Sequence, residues 1–224
     1  MILRDYVIGI SGDAGSGKDT LAKCLSLAAA CLRSGVTPGE EKGGQLEAWL
    51  GCVNVGRSRM DYYGHVPGSN CYTFGFSDVP KWIFEEENGL PYGTMSSPAK
   101  KRHRDRFVAF AEDVKRNKGG NHWIDSSAEY RQMNRLLTNS TVIVPDLRFR
   151  PELKWLKTAF AHPLDIEGVG RFVHVHVFRE GTPPEPQVGD RIDLSEDVPD
   201  VTIHNRGDIV DLYRAAVRFW RKFG

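Results

Sequence analysis

Long hydrophobic runs are missing from this sequence. The longest apolar stretch, LSLAAACL at residues 25–32, falls well short of the ~18 residues a membrane-crossing helix needs. The first twelve residues carry Arg4 and Asp5 inside a short apolar run, with no extended hydrophobic region and no small-residue cleavage site behind it. That pattern predicts no signal peptide and a soluble, cytoplasmic protein with no membrane partner. A charge excess of either sign is missing too. Lys and Arg total 30 against 29 Asp and Glu, so nothing in the whole chain draws it to nucleic acid or an anionic surface, and any basic site must be local. Cysteine is scarce: Cys24, Cys31, Cys52 and Cys71 form no CxxC pair, which excludes a zinc ribbon or a thioredoxin-like centre by spacing. Cys24 and Cys31 fall in an apolar helical pattern, as packed, reduced thiols would.

What is present reads as one globular domain. At 224 residues with 40% hydrophobic content, the chain can bury one sizeable core and carry an insertion or lid. Tyr6 to Ile10 form a buried-strand run that ends in Ser11-Gly12. Leu21, Leu25, Ala28 and Leu32 then recur at helical spacing, predicting a helix to about Arg33 that stops near Gly35. Residues 34–70 are dense in Gly and Pro without a sustained period and read as an irregular insertion. Further strands are expected at 72–76, 141–144, 172–178 and 201–203. Ser77-Asp78 and Ser97-Pro98 look like helix starts. His103, Phe107, Phe110 and Val114 continue the second of these at helical spacing. Ile209, Leu212, Tyr213, Ala216, Val217 and Trp220 mark an amphipathic last helix. Strands alternating with helices imply an α/β three-layer sandwich around a mostly parallel five-stranded sheet.

One segment carries chemistry on its face. GDAGSGKDT, residues 12–20, places GxxxxGK directly after a strand and before a helix, the context of a phosphate-binding loop. Gly12, Asp13, Ala14, Gly15, Ser16 and Gly17 would turn backbone N–H groups around a polyphosphate, the helix start adds partial positive charge, and Lys18 adds a full one. The hydroxyl residue that usually follows the lysine and serves Mg²⁺ is replaced by Asp19, with Thr20 next. Either Asp19 approaches the metal or Thr20 supplies the hydroxyl, while the plain alternative is that Asp19 only favours the helix start electrostatically.

Asp146 ends the strand in TVIVPD, where ligand sites collect in open α/β sheets, and Arg148 follows two residues later. A carboxylate there can hold Mg²⁺ or order its waters, and the arginine can clamp a phosphate. A turn aspartate beside a surface arginine is the bland reading. Residues 100–118 carry a local net charge of +5, with Arg102, Arg106 and Arg116 as site candidates. Three meanings stand side by side: a lid that brings arginines onto phosphates, a nucleic-acid face, or the solvated side of a helix. His174 and His176 alternate with valines, and with no third ligand placed nearby they read as covered strand residues.

Taken together, SGKDT at 16–20, FSDVPKWIF at 76–84, VPDLRFRPE at 144–152 and the LSED and VTIHNRGD pieces at 194–208 resemble the bacteriophage-type deoxynucleoside monophosphate kinases of the P-loop kinase superfamily. In that family SGKDT is the ordinary form of the loop, so Asp19 is expected there. The second piece resembles F-[AS]-D-x-[LV]-K and matches at Phe76, Asp78 and Lys81. The third resembles D-[VL]-R-F-x-N-E and matches at Asp146, Arg148, Phe149 and Glu152, with Pro151 in place of Asn. The fourth resembles H-x-S-E followed by N-x-G and matches at Ser195, Glu196, Asn205 and Gly207, with Asp193 in place of His. The resemblance spans about half the chain.

The resemblance implies a nucleotide kinase in which the loop grips ATP with Mg²⁺, Asp78 and Lys81 help receive the acceptor, residues about 97–135 supply a basic lid, and Asn205 lies near the ATP base. It also implies a deoxynucleotide substrate, a homodimer worth testing, and a phage protein working in a host cytoplasm. Other classes compete on the residues alone. A P-loop kinase for another small metabolite shares the same phosphate grip. A guanine-nucleotide switch is hinted at by Asn205-Arg206-Gly207-Asp208, but Asp146-Leu147-Arg148-Phe149 lacks the DxxG glycine. An ATP-dependent nucleic-acid-binding protein is disfavoured by the neutral net charge.

Overall fold

The structure, a computed structural model, describes residues 6–35, 46, 64–65, 71–73, 75–131, 140–160, 171–183 and 190–223. Most of the 34–70 insertion, with Cys52, and residues 132–139, which include the end of the expected lid, lie outside the described residues. In chain order the strands are β1 (Tyr6–Ser11), β2 (Gly64–His65), β3 (Cys71–Thr73), β4 (Thr141–Val144), β5 (Arg171–Phe178) and β6 (Val201–His204). The helices are α1 (Lys18–Arg33), α2 (Asp78–Glu87), α3 (Lys100–Lys118), α4 (His122–Arg131), α5 (Arg150–Phe160) and α6 (Ile209–Phe223).

The sheet order is β2-β3-β4-β1-β5-β6. Strands β3, β4, β1, β5 and β6 are parallel, as expected, and β2 adds a two-residue antiparallel edge through Gly64↔Thr73 and His65↔Tyr72. That sixth strand was not expected, because Gly64-His65 has no hydrophobic period and is held by pairing alone. The second expected strand is also shorter than 72–76. The chain turns at Gly75, whose N–H donates to the Asp78 carboxylate at 2.8 Å. Phe76 is still buried, edge-on to Trp155.

Alternation along β1 sorts the core into two faces. Tyr6, Ile8 and Ile10 join Ile143, Val173, Val175, Val177 and Ile203 beneath α1 and α6. Val7 joins Val142 and Val144 on the opposite face, where Ile124 of α4 and Leu153, Leu156 and Phe160 of α5 cover the sheet. The result is the expected three-layer α/β arrangement. Every residue of β1 is buried, as befits a central strand covered on both sides.

Helix α1 ends at Arg33 with Gly35 at φ +68°, as its pattern predicts. Trp220 of α6 is fully buried, its indole N–H donates to the Leu25 carbonyl of α1 at 2.8 Å, and it meets Tyr6 edge-on. Cys24, Cys31 and Cys71 are buried, and burial pushes the Cys24 thiol up to about 12. Among the described residues no helix is long and apolar enough to cross a membrane.

Helix α3 begins two residues later than Ser97-Pro98 implies. Ser97 is extended, and the Lys100 and Arg102 N–H groups reach back to the carbonyls of Ser97 and Ala99, a 3₁₀-type lead-in. Its apolar side packs as expected: Phe107 and Phe110 meet Phe84 of α2, and Phe110 meets Trp123 of α4.

Replacing Trp220 with Ala should lower stability in urea unfolding by roughly 3–5 kcal/mol, since it opens a cavity and strips a buried carbonyl of its donor. Val108→Ala, at a half-exposed α3 position, should change it by less than ~0.5 kcal/mol.

Candidate functional site

Parallel strands bring their carboxyl ends to one edge of the sheet, and the loops after β1, β4, β5 and β6 meet there. The chain leaves β1 toward β3 on one side and leaves β4 toward β5 on the other, so a topological switch point lies between β1 and β4. The loop of residues 12–17 occupies that position and leads into α1.

Two of its glycines are required by close approach. A Cβ on Gly12, at φ +145°, would lie 2.4 Å from the Val177 carbonyl oxygen of β5. One on Gly17, at φ +99°, would lie 2.5 Å from Asn205 Nδ2. Gly15, at φ +83°, instead faces open space. The Ser16 N–H closes a turn onto the Asp13 carbonyl at 3.1 Å. The Ser16 hydroxyl is buried and has no hydrogen-bond partner.

Lys18 is only 7% exposed, and its ammonium donates to the carbonyls of Gly12 at 2.8 Å and Asp13 at 3.0 Å. A full positive charge is thereby drawn inside the loop, beside the uncapped start of α1. Ala14 and Asp19 are exposed, and Thr20 is half-buried in the first turn.

Asn205 sits behind this loop. Its Nδ2 donates to the Ser16 carbonyl at 2.7 Å, its Oδ1 accepts from the Gly207 N–H, and its own N–H donates to the Phe178 carbonyl. The side chain is 6% exposed and acts on the loop backbone, a positioning role where the resemblance implied a place near the base. Arg179, the first residue after β5, donates to the Gly15 carbonyl at 3.3 Å. Sequence reasoning passed over it. The available signal was its place at the carboxyl end of a parallel strand.

Across the switch point, the Leu147 N–H donates to the Ile10 carbonyl, which sets the end of β4 beside the start of the loop. Asp146 pairs there with Arg148 at 2.6 Å, both side chains being about a third exposed or less. Glu152 caps α5: one carboxylate oxygen accepts from the N–H groups of Arg148 and Phe149 at 3.0 and 3.1 Å. Pro151 occupies the first turn of that helix, where its missing N–H costs nothing. A short strap crosses the same segment. Phe149 pairs antiparallel with Arg191, and Arg150 reaches Glu196 and Asp197. Glu196 and Asp193, which the resemblance singled out, thus hold the start of α5 through Arg150.

Asp78 and Lys81 lie on α2, just past β3. Asp78 accepts from Gly75 N–H, and Lys81 pairs with it at 3.6 Å while donating to Ser77 Oγ. The two line a small cleft with Trp82, Glu85, Tyr92 and Ser96. The candidate arginines of α3 are all exposed. Arg106 is hydrogen-bonded to Asn88 and Arg116 pairs with Asp113. The contact that ties α3 to the site comes from Lys115, whose ammonium lies over the Phe149 ring at 5.3 Å from its centre. Lys115 belongs to the basic stretch but was not among the candidates, since only the fold sets Phe149 beneath it.

This arrangement can hold an anion: a buried cation, an orphaned hydroxyl and an uncapped helix start converge in one loop. Mg²⁺ takes few protein ligands and several from phosphate and water, so the Thr20 hydroxyl with the Asp146 or Asp19 carboxylate fits its oxygen preference. Among the described residues no three His, Cys, Asp or Glu gather as a cluster for a protein-held metal. No protein-family model matches this chain, and no curated protein matches it.

Two buried titratable groups beside the site give opposing pH effects. Burial raises Glu152 from 4.5 to about 7, against the pull of the Arg148 and Phe149 N–H groups. Its contribution to stability is present at low pH and is lost as pH rises toward 7. Burial lowers His174 from 6.5 to about 4, so its contribution is present above 6.5 and is lost as pH falls toward 4. Glu152→Gln should therefore gain on the wild type between pH 5 and 7, by up to roughly 3 kcal/mol in chemical unfolding. His174→Gln should gain on it in the opposite direction, as pH is lowered. A further expectation concerns Asn205→Ala, which should lower stability in chemical unfolding by about 1–3 kcal/mol, since it leaves the Ser16 carbonyl and the Gly207 N–H without their partner.

Proposed function

We propose that this protein transfers the γ-phosphoryl group of ATP to a deoxynucleoside 5′-monophosphate, giving the diphosphate and ADP. The observation that carries the proposal is the 12–17 loop closed around Lys18, with the cation held inside a ring of backbone groups at the switch point of a parallel sheet. The deoxynucleotide acceptor rests on the resemblance of SGKDT and DLRF to that kinase family.

Such a reaction demands positioning and charge neutralisation more than bond-making by the protein. An acceptor phosphate oxygen attacks the γ phosphorus as the bond to the β-phosphate oxygen breaks. The acceptor, with a second pKa near ~6, is already mostly dianionic at pH 7 and needs no strong base. Loop amides and Lys18 hold β and γ oxygens. Arg148, oriented by Asp146, offers a cation to the acceptor or the transferring group. Thr20 with Asp146 or Asp19 would hold Mg²⁺, which when bound neutralises charge on the phosphates. Asp78 and Lys81 on α2 would receive the acceptor, and the basic α3 would supply the lid.

A coupled ADP-release assay with ATP·Mg and the four standard deoxynucleoside monophosphates, hydroxymethylated forms and ribonucleotides tests this directly. Acceptor-dependent turnover is expected, falling at least about a hundredfold in Lys18→Ala with the fold intact by circular dichroism. Unchanged turnover in that variant would sink the proposal. ATP binding without turnover on any of these acceptors would move the assignment to a kinase of another small metabolite or to a nucleotide sensor.

A further inference from the structure

Strand β5 carries two histidines on the face of the sheet that β1 turns toward α5. The register pairs Gly9 with His174 and Ser11 with His176, so both imidazoles flank the last residue before the glycine loop. The Ser11 hydroxyl is buried and lies 2.8 Å from His174 Nε2 and 3.0 Å from His176 Nδ1. A hydroxyl has one proton, so it donates to one ring and accepts from the other.

His174 decides which. It is fully buried, and its Nδ1 has no partner. A buried N–H left without an acceptor there would cost more than a bare ring nitrogen, so the proton belongs on Nε2. The chain then has one direction. His174 Nε2–H donates to Ser11 Oγ, and the Ser11 hydroxyl donates to His176 Nδ1. His176, when neutral, must carry its proton on Nε2, the ring edge turned away from Ser11.

The ring stands in register with Ser11, where β1 enters the 12–17 loop. The charges that act on His176 are Asp13 of the loop and Lys18 of α1, and its ring is half-buried at the carboxyl end of β5. His174 is enclosed by Lys157 of α5 and by Asp197 and Asp200 ahead of β6, with Asp200 also accepting the His174 backbone N–H. Burial disfavours a charged His176 most, Asp13 opposes it and Lys18 adds to it, and the net shift is toward the neutral ring.

We infer that His176 is a phosphate-binding residue of the 12–17 loop: a neutral imidazole, locked by Ser11 and His174 with its Nε2–H presented to a terminal oxygen of the bound nucleotide polyphosphate. The inference rests on the loop's being a nucleotide site, as proposed above. It assigns work to two histidines that the sequence leaves as covered strand residues. It also explains a buried serine in the last position of β1, where an apolar residue would fill the same space.

Two measurements test it on the full-length protein. Long-range ¹H–¹⁵N correlation spectra at neutral pH should show both rings as the Nε2–H tautomer, and ATP should move the His176 Nε2–H resonance while leaving the His174 tautomer in place. A Nδ1–H tautomer at either ring, or a His176 resonance indifferent to ATP, overturns the inference. Titration calorimetry with ATP then separates donor from scaffold. His176→Gln keeps an amide N–H near the Nε2 position, whereas His176→Asn keeps a partner for Ser11 but offers no donor at that reach. Gln should bind ATP close to wild type and Asn about tenfold more weakly, the loss expected for one hydrogen bond to a charged oxygen. Equal affinity of Asn and wild type, with Lys18→Ala weakened, overturns the role of His176 alone. Failure of the wild type to bind ATP at all overturns the nucleotide-site reading beneath it.

Discussion

The burial of β1 between two parallel neighbours is the constraint from which the rest of the molecule follows. All six of its residues are buried, and its register staggers the ends of β4, β1 and β5, at Val144, Ser11 and Phe178, by two residues each. A strand so enclosed cannot slip by one residue, because a slip would exchange the Ile8 and Ile10 side for the Val7 and Gly9 side. The loop that leaves it at Gly12 is therefore delivered to one place, against the Val177 carbonyl on one flank and Asn205 on the other. The two glycines that cannot carry a side chain are the two that touch those flanks. Gly15, where an added Cβ would meet nothing within 4 Å, is the part of the loop that faces open space.

Around that loop, groups divide into those that face a ligand and those that hold the loop for them. Lys18 and the Ser16 hydroxyl belong to the first kind, one drawn inward by carbonyls and the other buried without a partner. Asn205 belongs to the second, since both ends of its amide are bonded to backbone. The same division runs through the segment after β4. Asp146 and Arg148 lie paired at the sheet edge, while Glu152, Arg150 and the strap of residues 190–200 fasten the backbone that presents them. Buried titratable groups cluster in this supporting layer, where hydrogen bonds to backbone offset part of the cost of taking them out of water.

The sequence reading recovered the frame well where a single period dominates. Leu21, Leu25 and Ala28 are buried as the helical spacing of α1 requires, and the Ile209 to Trp220 stripe is the inner face of α6. It missed where pairing or crossing contacts decide. Gly64-His65 has no pattern and becomes a strand only because Tyr72 and Thr73 lie beside it. Phe76 continues the alternation of β3 yet leaves the strand, because Asp78 captures the Gly75 N–H and turns the chain. The basic stretch was legible as a charge concentration. Its one residue over the DLRF segment, Lys115, was not, since Phe149 is distant in sequence.

By itself, then, the sequence determined the α/β layering, the glycine-rich loop between β1 and α1, and the carboxylate and arginine after β4, because each is written in local spacing along a single element. Tertiary structure alone decided that Asn205 braces the loop, that Arg179 reaches Gly15, and that Ser11 joins His174 to His176. Those contacts span more than 160 positions and depend on the lateral order β4-β1-β5-β6. Hydrophobic periodicity specifies which face of a strand is buried, but it carries no information about which strand will lie beside it.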